Sequence, residues 1–296
     1  MYDRILVPTD GSEHAERAAD YGRLLAETFD ATVHVLHAVE DPQLTPGIDA
    51  GPTAGDVRSR FEEVGRRGID SIERRLGDVD VVTELVEGTP YEEILAYSDE
   101  IEADVVVMGT RGHTGLDRLL VGSTTERAVR LSDAPVLTVG PEADSEAGFR
   151  DVLVPTDGSE AVEPAIEQAL NVAEAFDATF HALNVADVRS FADDEFGPGM
   201  GVDDGVLQAL EEQGERATDD LADRAARRNL AVEADVVIGT PATAIREYAD
   251  EQGADLIVMG THGRTGLDRV LLGSVTEKVV RSADCPVLTV RRDGEE

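Results

Sequence analysis

Two glycine-rich stretches with the same spacing are the part of this chain best suited to chemistry. Each follows an apolar run ending in Met-Gly and precedes a segment of helical periodicity; they read VVVMGTRGHTGLDRLLVGS from 105 to 123 and LIVMGTHGRTGLDRVLLGS from 256 to 274. Glycine lets the backbone approach a ligand closely, and a helix N-terminus carries unpaired N–H groups and a partial positive charge. Such a loop is suited to holding an anion, above all a phosphate.

Tight turns are the alternative explanation for these glycines, and the repetition of the spacing weighs against it. Two common nucleotide motifs do not match. The loop reads G-x-x-G-x-x-G instead of the G-x-G-x-x-G of a dinucleotide site, and it does not open the first βα unit. A P-loop requires Gly-Lys-Ser/Thr, whereas the only lysine, Lys278, lies in a predicted helix.

A second repeated motif, Pro-Thr-Asp-Gly-Ser, follows the first predicted strand of each half, beginning at Pro8 and at Pro155. Its carboxylates, Asp10 and Asp157, could close an Asx-turn or cap the following helix. Alternatively, a carboxylate just beyond the first strand of an open α/β sheet faces the crevice where ligands bind, and could accept hydrogen bonds from a ribose or a base amine. The sequence alone leaves both roles open.

Strands and helices alternate in both halves. The predicted strands are 5–7, 31–39, 79–86, 105–109 and 135–139 in the first half, and 152–154, 178–185, 232–237, 256–260 and 286–290 in the second. Long helices are predicted at 57–76 and 206–228. This alternation predicts right-handed βαβ units and a parallel sheet with helices on both faces. The segments 41–55 and 190–205 are rich in Gly, Pro or Asp, which predicts surface loops that are either passive or act as lids.

The spacing G-x2-G-x9-G-S after a Met-Gly strand end, with an earlier strand ending in Pro-Thr-Asp, resembles the ATP-binding class of universal stress proteins. Both halves match, so the resemblance implies a tandem, two-domain, UspA-like member. It implies an α/β fold of two Rossmann-like (adenine nucleotide alpha hydrolase-like) domains, each a five-stranded parallel sheet of order 3-2-1-4-5. ATP is expected where that order reverses, between the first and fourth strands.

The resemblance also implies which residues contact the nucleotide. In the first half they are Pro8, Thr9, Asp10 and Ala38 at adenine and ribose, Met108 and Gly109 at the sugar, and Gly112, Gly122, Ser123 and Thr124 at the phosphates. In the second half they are Pro155, Thr156, Asp157, Val185, Met259, Gly260, Gly263, Gly273, Ser274 and Val275. The second half keeps the family's Gly-Ser-Val, whereas the first departs from it at Thr124.

The charge of the chain restricts its partners. Sixty-two acidic residues against 26 basic ones give a formal charge of −36, which argues against nucleic acid and anionic membrane as partners. Such a balance is expected of a halophilic protein, because concentrated salt screens self-repulsion, and an ordinary acidic cytosolic protein is the alternative. The triphosphate is therefore expected to be held by backbone N–H groups, with Mg²⁺ carried by ATP. Four arginines either assist or are surface residues: Arg111, Arg118, Arg264 and Arg269.

Length and repetition predict the domain organisation. The expected boundaries are a first domain at 1–140, a polar linker at 141–150 and a second domain at 151–292. No signal-peptide pattern or 18-residue apolar run occurs, so a cytoplasmic location is expected. The fifth strands are expected to lie at sheet edges and to join the halves as an intramolecular pseudo-dimer, as in the family. Further association into a homodimer is left open.

A nucleotide-binding regulatory or stress-protective protein, and not an enzyme, is the function these features favour. Ser123 and Ser274 could imitate nucleophiles, but no histidine and carboxylate recur around both, and helix capping explains them better. Slow ATP hydrolysis stays open, because a held triphosphate needs only a positioned water. The alternative from another class is a nucleotide-free interaction module. The three histidines in predicted strands are expected to be core or crevice-edge residues and not metal ligands; they are His34, His37 and His181. Cys285 is expected to be a buried thiol.

Overall fold

A computed structural model of the chain describes residues 2–40, 54–110, 112, 121–143, 145, 148–187, 204–261 and 272–291. The chain divides into two compact units, Met1–Glu146 and Ala147–Glu296. Each unit is an α/β domain with a parallel sheet, and the predicted fold class is confirmed. Within the described ranges, no helix is both long and apolar enough to cross a membrane.

The first domain alternates strands and helices throughout its described length. Its elements are β1 (Arg4–Pro8), α1 (Glu13–Phe29), β2 (Thr32–Val39), α2 (Ala54–Leu76), β3 (Val81–Glu87), α3 (Pro90–Glu100), β4 (Val105–Gly109), α4 (Ser123–Leu131) and β5 (Val136–Val139). The strands lie in the order β3-β2-β1-β4-β5, and the pairs are parallel. The order therefore reverses between β1 and β4, as predicted.

The second domain repeats this arrangement. Its elements are β6 (Asp151–Thr156), a 3₁₀ turn (Glu160–Val162), α5 (Glu163–Phe176), β7 (Thr179–Ala186), α6 (Asp204–Arg227), β8 (Val232–Ile238), α7 (Pro241–Gln252), β9 (Leu256–Gly260), α8 (Ser274–Ser282) and β10 (Val287–Val290). The strand order β8-β7-β6-β9-β10 is the same 3-2-1-4-5 order. The predicted helices and strands shift by only a few residues at their ends.

The central strands are buried on both faces, as a parallel sheet requires. Ile5, Leu6 and Val7 of β1 are fully buried, and every residue of β4 is buried. The middle residues of β3 and β8, each at one edge of its own domain's sheet, are exposed; they include Thr83, Glu84 and Asp235. Charged and polar side chains on such strands disfavour further strand pairing.

The same hydrogen bonds join the first and fourth strands of each domain at their amino ends. The Asp104 carboxylate accepts hydrogen bonds from the backbone N–H groups of Asp3 (2.7 Å) and Arg4 (2.9 Å). In the described residues the β1–β4 ladder pairs only Ile5 with Val105 and Leu6 with Val106. The second domain repeats the contact through Asp255. The two strands therefore separate toward their carboxyl ends, where the candidate site lies.

Candidate functional site

The loop after the first strand folds into two nested turns in both domains. The Thr9 hydroxyl accepts a hydrogen bond from the Gly11 N–H (3.1 Å), and the Asp10 carboxylate accepts one from the Ser12 N–H (3.0 Å). The second domain has the same bonds at Thr156 (3.0 Å) and Asp157 (2.9 Å). Asp10 and Asp157 thus close Asx-turns, the local role considered from sequence.

Glycine is required in the middle of this loop. Gly11 has φ of 77° and Gly158 has φ of 74°, a left-handed conformation that other residues adopt at a cost. The next residue differs in role between the domains. The Ser12 hydroxyl caps α1 by accepting from the Ala15 N–H at 3.2 Å, whereas Ser159 makes no capping bond and precedes a 3₁₀ turn.

The end of the fourth strand approaches the first loop so closely that side chains are excluded. A Cβ atom on Gly109 would lie 2.8 Å from the His14 carbonyl oxygen, and one on Gly112 would lie 2.5 Å from Asp10 Oδ2. The end of β4 therefore packs against the first turn of α1, and Gly112 lies against the Asp10 carboxylate, with no room for a side chain at either glycine. The close approach of this backbone to a ligand stays a prediction.

The Gly-Ser pairs mark helix N-termini, as predicted, but the serines are not the caps. Gly122 and Gly273 occupy the N-cap positions with no side-chain capping bond, and Ser123 and Ser274 are the exposed first residues of α4 and α8. The capping explanation of these serines was therefore wrong. Because glycine offers no side chain to satisfy the first N–H groups of the helix, these groups are left for another acceptor.

A buried threonine ties each helix start to the preceding strand. The Thr125 hydroxyl donates to the Gly109 carbonyl at 2.8 Å, and Thr276 donates to the Gly260 carbonyl at the same distance. Backbone bonds from Gly122 to Thr110 and from Gly273 to Thr261, both 2.8 Å, complete the connection. The position of the helix N-terminus is thereby fixed relative to the carboxyl end of the sheet.

In the second domain these elements enclose a cavity of about 440 Å³ at the carboxyl ends of β6, β7 and β9. Its lining includes nine of the ten residues predicted there: Pro155, Thr156, Asp157, Val185, Met259, Gly260, Gly273, Ser274 and Val275. The tenth, Gly263, lies outside the described residues, as do Arg264 and Arg269. One end of the cavity is the start of α8, and the walls away from it are largely apolar.

The predicted residues of the first domain occupy the corresponding positions. Those at strand ends or in the loops that follow them are Pro8, Thr9, Asp10, Ala38, Met108, Gly109 and Gly112, and those at the start of α4 are Gly122, Ser123 and Thr124. Thr9 and Met108 are buried, at 6% and 5% exposure. Arg111 and Arg118 lie outside the described residues.

Several residues of the second cavity were not predicted from sequence. They are Val162, Leu183, Asn184, Ala186, Asp187, Leu210, Gln213, Pro241, Ile245 and Thr276. Asn184 is buried and donates from Nδ2 to the Thr156 carbonyl at 2.8 Å, so it supports the loop that carries Asp157. Leu210 and Gln213 come from α6. Their position before Gly214, the glycine at which α6 contacts the sheet, is the signal that could have identified them.

His37 takes the place of Asn184 in the first domain. It follows Leu36, the partner of Pro8 in the β1–β2 ladder, just as Asn184 follows Leu183, the partner of Pro155. Burial lowers the pKa of His37, against smaller opposing effects of the Thr9 backbone and Asp10. Its Nδ1 is buried without a hydrogen-bond partner among the described residues. His37 is therefore a crevice-edge residue, one of the two roles predicted.

The other two strand histidines lie away from the site. His34 contacts the Tyr97 hydroxyl (3.1 Å), and His181 contacts the Asp151 carboxylate (3.0 Å), with Glu233 at 3.6 Å. The carboxylates around His181 come from neighbouring strands and were not anticipated. Over the described ranges, no cluster of three or more His, Cys, Asp or Glu side chains could hold a metal ion. Cys285 is half-buried as a residue, so the predicted buried thiol is only partly correct, although burial around the sulfur raises the pKa of the thiol to about 12.

Comparison with known proteins identifies the family. The profile described as "Universal stress protein family" matches residues 1–140 and 148–291. A universal stress protein of Mycolicibacterium smegmatis is 30% identical over 97% of this chain and 96% of its own length. One from Methanocaldococcus jannaschii is 38% identical over 50% of this chain and 85% of its own.

The fold comparison covers both domains. The crystal structure of a universal stress protein from Archaeoglobus fulgidus has a TM-score of 0.71 and 24% identity, with 98% of each chain covered. At that identity the likeness shows the fold alone. Together with the repeated profile match, these findings show that the chain belongs to the universal stress protein family, as two family domains in tandem.

Proposed function

We propose that each domain binds ATP at the reversal of its strand order, and that the chain is a regulatory or stress-protective ATP-binding protein. The observation that carries this proposal is the cavity of the second domain. It joins a helix N-terminus capped by glycine to apolar walls at the carboxyl ends of three parallel strands. That is the position where open α/β sheets bind ligands, and the volume of about 440 Å³ is typical of a small-molecule site.

The two ends of the cavity suit the two ends of a nucleotide. At the start of α8, backbone N–H groups and the helix dipole favour a phosphate without any lysine. A Cβ atom on Gly273 would come within 3.2 Å of the Thr261 carbonyl, so glycine keeps this turn close to the strand. The apolar residues Val162, Leu183 and Ile245 suit a base. Mg²⁺ would be carried by the phosphates and would neutralise part of their charge.

Binding without turnover is the proposed mode of action. The phosphate end offers exposed serines at a helix start, Ser123 and Ser274, and neither arrangement includes an activating base on the described residues. Bound ATP would stabilise one conformation or assembly of the protein by mass action. Slow hydrolysis by a positioned water is the alternative, measured as phosphate released from Mg·ATP over hours. A rate above that of uncatalysed hydrolysis would support it.

The decisive test places a negative charge at each phosphate end. Ser123→Glu and Ser274→Glu change exposed first residues of helices, where a carboxylate favours the helix itself. The same carboxylate would repel a triphosphate, and we expect each variant to lose one ATP-binding event, with affinity reduced on the order of 100-fold. Isothermal titration of Mg·ATP measures both sites.

The matched control is Ser274→Gln, which adds a side chain of the same size as glutamate without its charge. Its affinity should stay much closer to the parent value than that of Ser274→Glu, because only the carboxylate repels the triphosphate. Equal ATP binding by the parent protein and the Ser123→Glu/Ser274→Glu double variant would contradict the proposal. Absence of binding in the parent, with no adenine nucleotide released on denaturation, would favour the nucleotide-free interaction module.

We also propose that the protein comes from a halophile. The formal charge of −36 over 296 residues creates self-repulsion that molar salt would screen. We therefore expect the midpoint of thermal unfolding to rise steeply between low and molar salt. An unchanged midpoint across the series would count against salt adaptation.

A further inference from the structure

The wall contributed by the long helix after the second strand differs chemically between the two domains. In the second domain this helix, α6, supplies Leu210 and Gln213 to the cavity. The residues at the same positions of α2 can be identified from packing, without relying on sequence alignment.

Two glycines fix the correspondence of the helices. A Cβ atom on Gly65 of α2 would lie 2.5 Å from His37 Cδ2 and 3.0 Å from Leu85 Cδ1. One on Gly214 of α6 would lie 2.6 Å from Asn184 Oδ1 and 2.8 Å from Val236 Cγ1. His37 pairs with Leu85 across β2 and β3, as Asn184 pairs with Val236 across β7 and β8. The glycines thus occupy equivalent positions.

Counting back from these glycines matches Val64 with Gln213, and Phe61 with Leu210. Phe61 is 37% exposed and Val64 is 45% exposed, and they are two of only four large apolar side chains that stand out as exposed in the described part of the chain. A cluster of exposed apolar side chains commonly marks a binding surface. Their place beside the first-domain crevice is equivalent to the cavity wall formed by Leu210 and Gln213 in the second domain.

We propose that the two sites differ in base selectivity, the second preferring adenine through the Gln213 amide and the first accepting purines alike on Phe61 and Val64. This inference rests on the proposed nucleotide binding and names the selectivity of the same sites. A glutamine amide donates and accepts at once, which matches adenine N7 and N6. Guanine presents two acceptors, N7 and O6, to such an amide. Phe61 and Val64 offer only apolar contact, which any purine satisfies.

Each site can be measured separately in the full-length protein. The Ser123→Glu variant leaves the second site, and the Ser274→Glu variant leaves the first. Titration of each with Mg·ATP and Mg·GTP gives a ratio of dissociation constants. We expect the second site to bind ATP about tenfold more tightly than GTP, which is the low end for a bidentate pair because Gln213 is exposed. At the first site we expect the two dissociation constants to differ by less than about twofold.

Exchange of one residue should transfer the selectivity. In the Ser123→Glu background, Gln213→Val should reduce the ATP preference to about twofold. In the Ser274→Glu background, Val64→Gln should raise it by a factor of about three or more. Both positions are exposed, so folding should be preserved, which thermal unfolding checks. Gln208→Val on the same helix is the control, because Gln208 pairs with Glu212 and does not line the cavity.

The outcomes separate this inference from the function on which it rests. An unchanged ratio after Gln213→Val, or an equal change after Gln208→Val, would overturn the assignment of selectivity while ATP binding stands. Equal ratios in the two backgrounds would overturn it as well. Absence of any nucleotide binding in both backgrounds and in the parent protein would overturn the proposed function together with this inference.

Discussion

The two domains share their backbone at the candidate site and differ in the side chains that support it. Thr9, Asp10 and Thr125 make the same hydrogen bonds as Thr156, Asp157 and Thr276. Behind this shared frame, the first domain has an imidazole where the second has an amide that donates to the loop carbonyl. The two domains therefore share the hydrogen bonds of the first loop and of the helix start, and differ in the side chain behind the first loop.

The largest expected effect tests whether the long helices pack on the sheet in the same way. Gly65→Ala should place a methyl group against the His37 ring, and Gly214→Ala should place one against Asn184 and Val236. Overpacking costs about 1–3 kcal/mol, which should exceed the gain of about 1 kcal/mol in helix propensity. We expect both variants to lower the free energy of unfolding, as measured by chemical denaturation.

A second substitution distinguishes overpacking from a general intolerance of change in the helix. In a His37→Ala background only Leu85 Cδ1, at 3.0 Å, remains close to the new methyl group, so Gly65→Ala should be much less destabilising. The relief should be smaller at Gly214, because Val236 Cγ1, at 2.8 Å, remains when Asn184 is removed. A Gly65→Ala variant that is equally destabilised with and without His37 would show that the contact is not responsible.

A smaller difference should appear in the pH dependence of stability. Burial lowers the pKa of His37 below its ordinary value of 6.5. As the pH falls, His37 is therefore protonated in the unfolded chain at a higher pH than in the folded chain. Stability contributed by the neutral imidazole is therefore present above pH 6.5 and is lost as pH falls from 6.5 toward the lowered pKa. His37→Asn, which copies the second domain, should reduce this loss in thermal unfolding between pH 7 and pH 5.

The contribution of His34 to the same pH range remains in both proteins. Its pKa is also lowered, chiefly by burial and further by Arg4, and it lies on the same strand as His37. The test is therefore whether the midpoint of thermal unfolding changes less steeply with pH in the variant than in the parent protein. Equal pH dependence in the two proteins would contradict the role of His37. The converse substitution, Asn184→His, should introduce a similar slope into the second domain if its packing tolerates the ring.

The smallest expected effect concerns the ion pairs on the helices. Arg224 pairs with Glu163 and Glu167 (both 2.6 Å), and its side chain is 17% exposed. Arg75 pairs with Asp20 and Glu16 in the first domain and is 42% exposed. Arg224→Met should cost about 1 kcal/mol and Arg75→Met less, because exposed pairs contribute little. Denaturant titrations at low and molar salt measure the free energy of unfolding of both variants. A larger loss of this free energy in the Arg75 variant than in the Arg224 variant would contradict the expected order.

Much of the fold could be predicted from sequence because its signals are local. Apolar runs, helical spacing and the glycine positions each lie within about 20 residues, and the structure places the strands where these patterns did. The candidate-site loops were identified for the same reason. The error at Ser123 and Ser274 was also local: a glycine can take the cap position, which moves the helix start to the serine.

Contacts between distant segments could not be predicted in this way. Asn184 reaches the Thr156 carbonyl across 28 residues, and His181 meets Asp151 and Glu233 from two neighbouring strands. The side chains of α6 enter the cavity only because Gly214 lets the helix settle on β7 and β8. Such contacts depend on register and helix rotation, which short-range periodicity does not determine.

The aspartates that precede the fourth strands have a mechanical consequence. Asp104 and Asp255 each accept two backbone N–H groups from the start of the first strand, while the ladder between these strands ends after two residue pairs. The crevice is thus anchored at its base and already parted at its rim. A ligand between the first and fourth strands therefore displaces no ladder hydrogen bond, while backbone bonds from Thr9 to Leu36 and from Thr110 to Val139 keep the rim attached to the neighbouring strands.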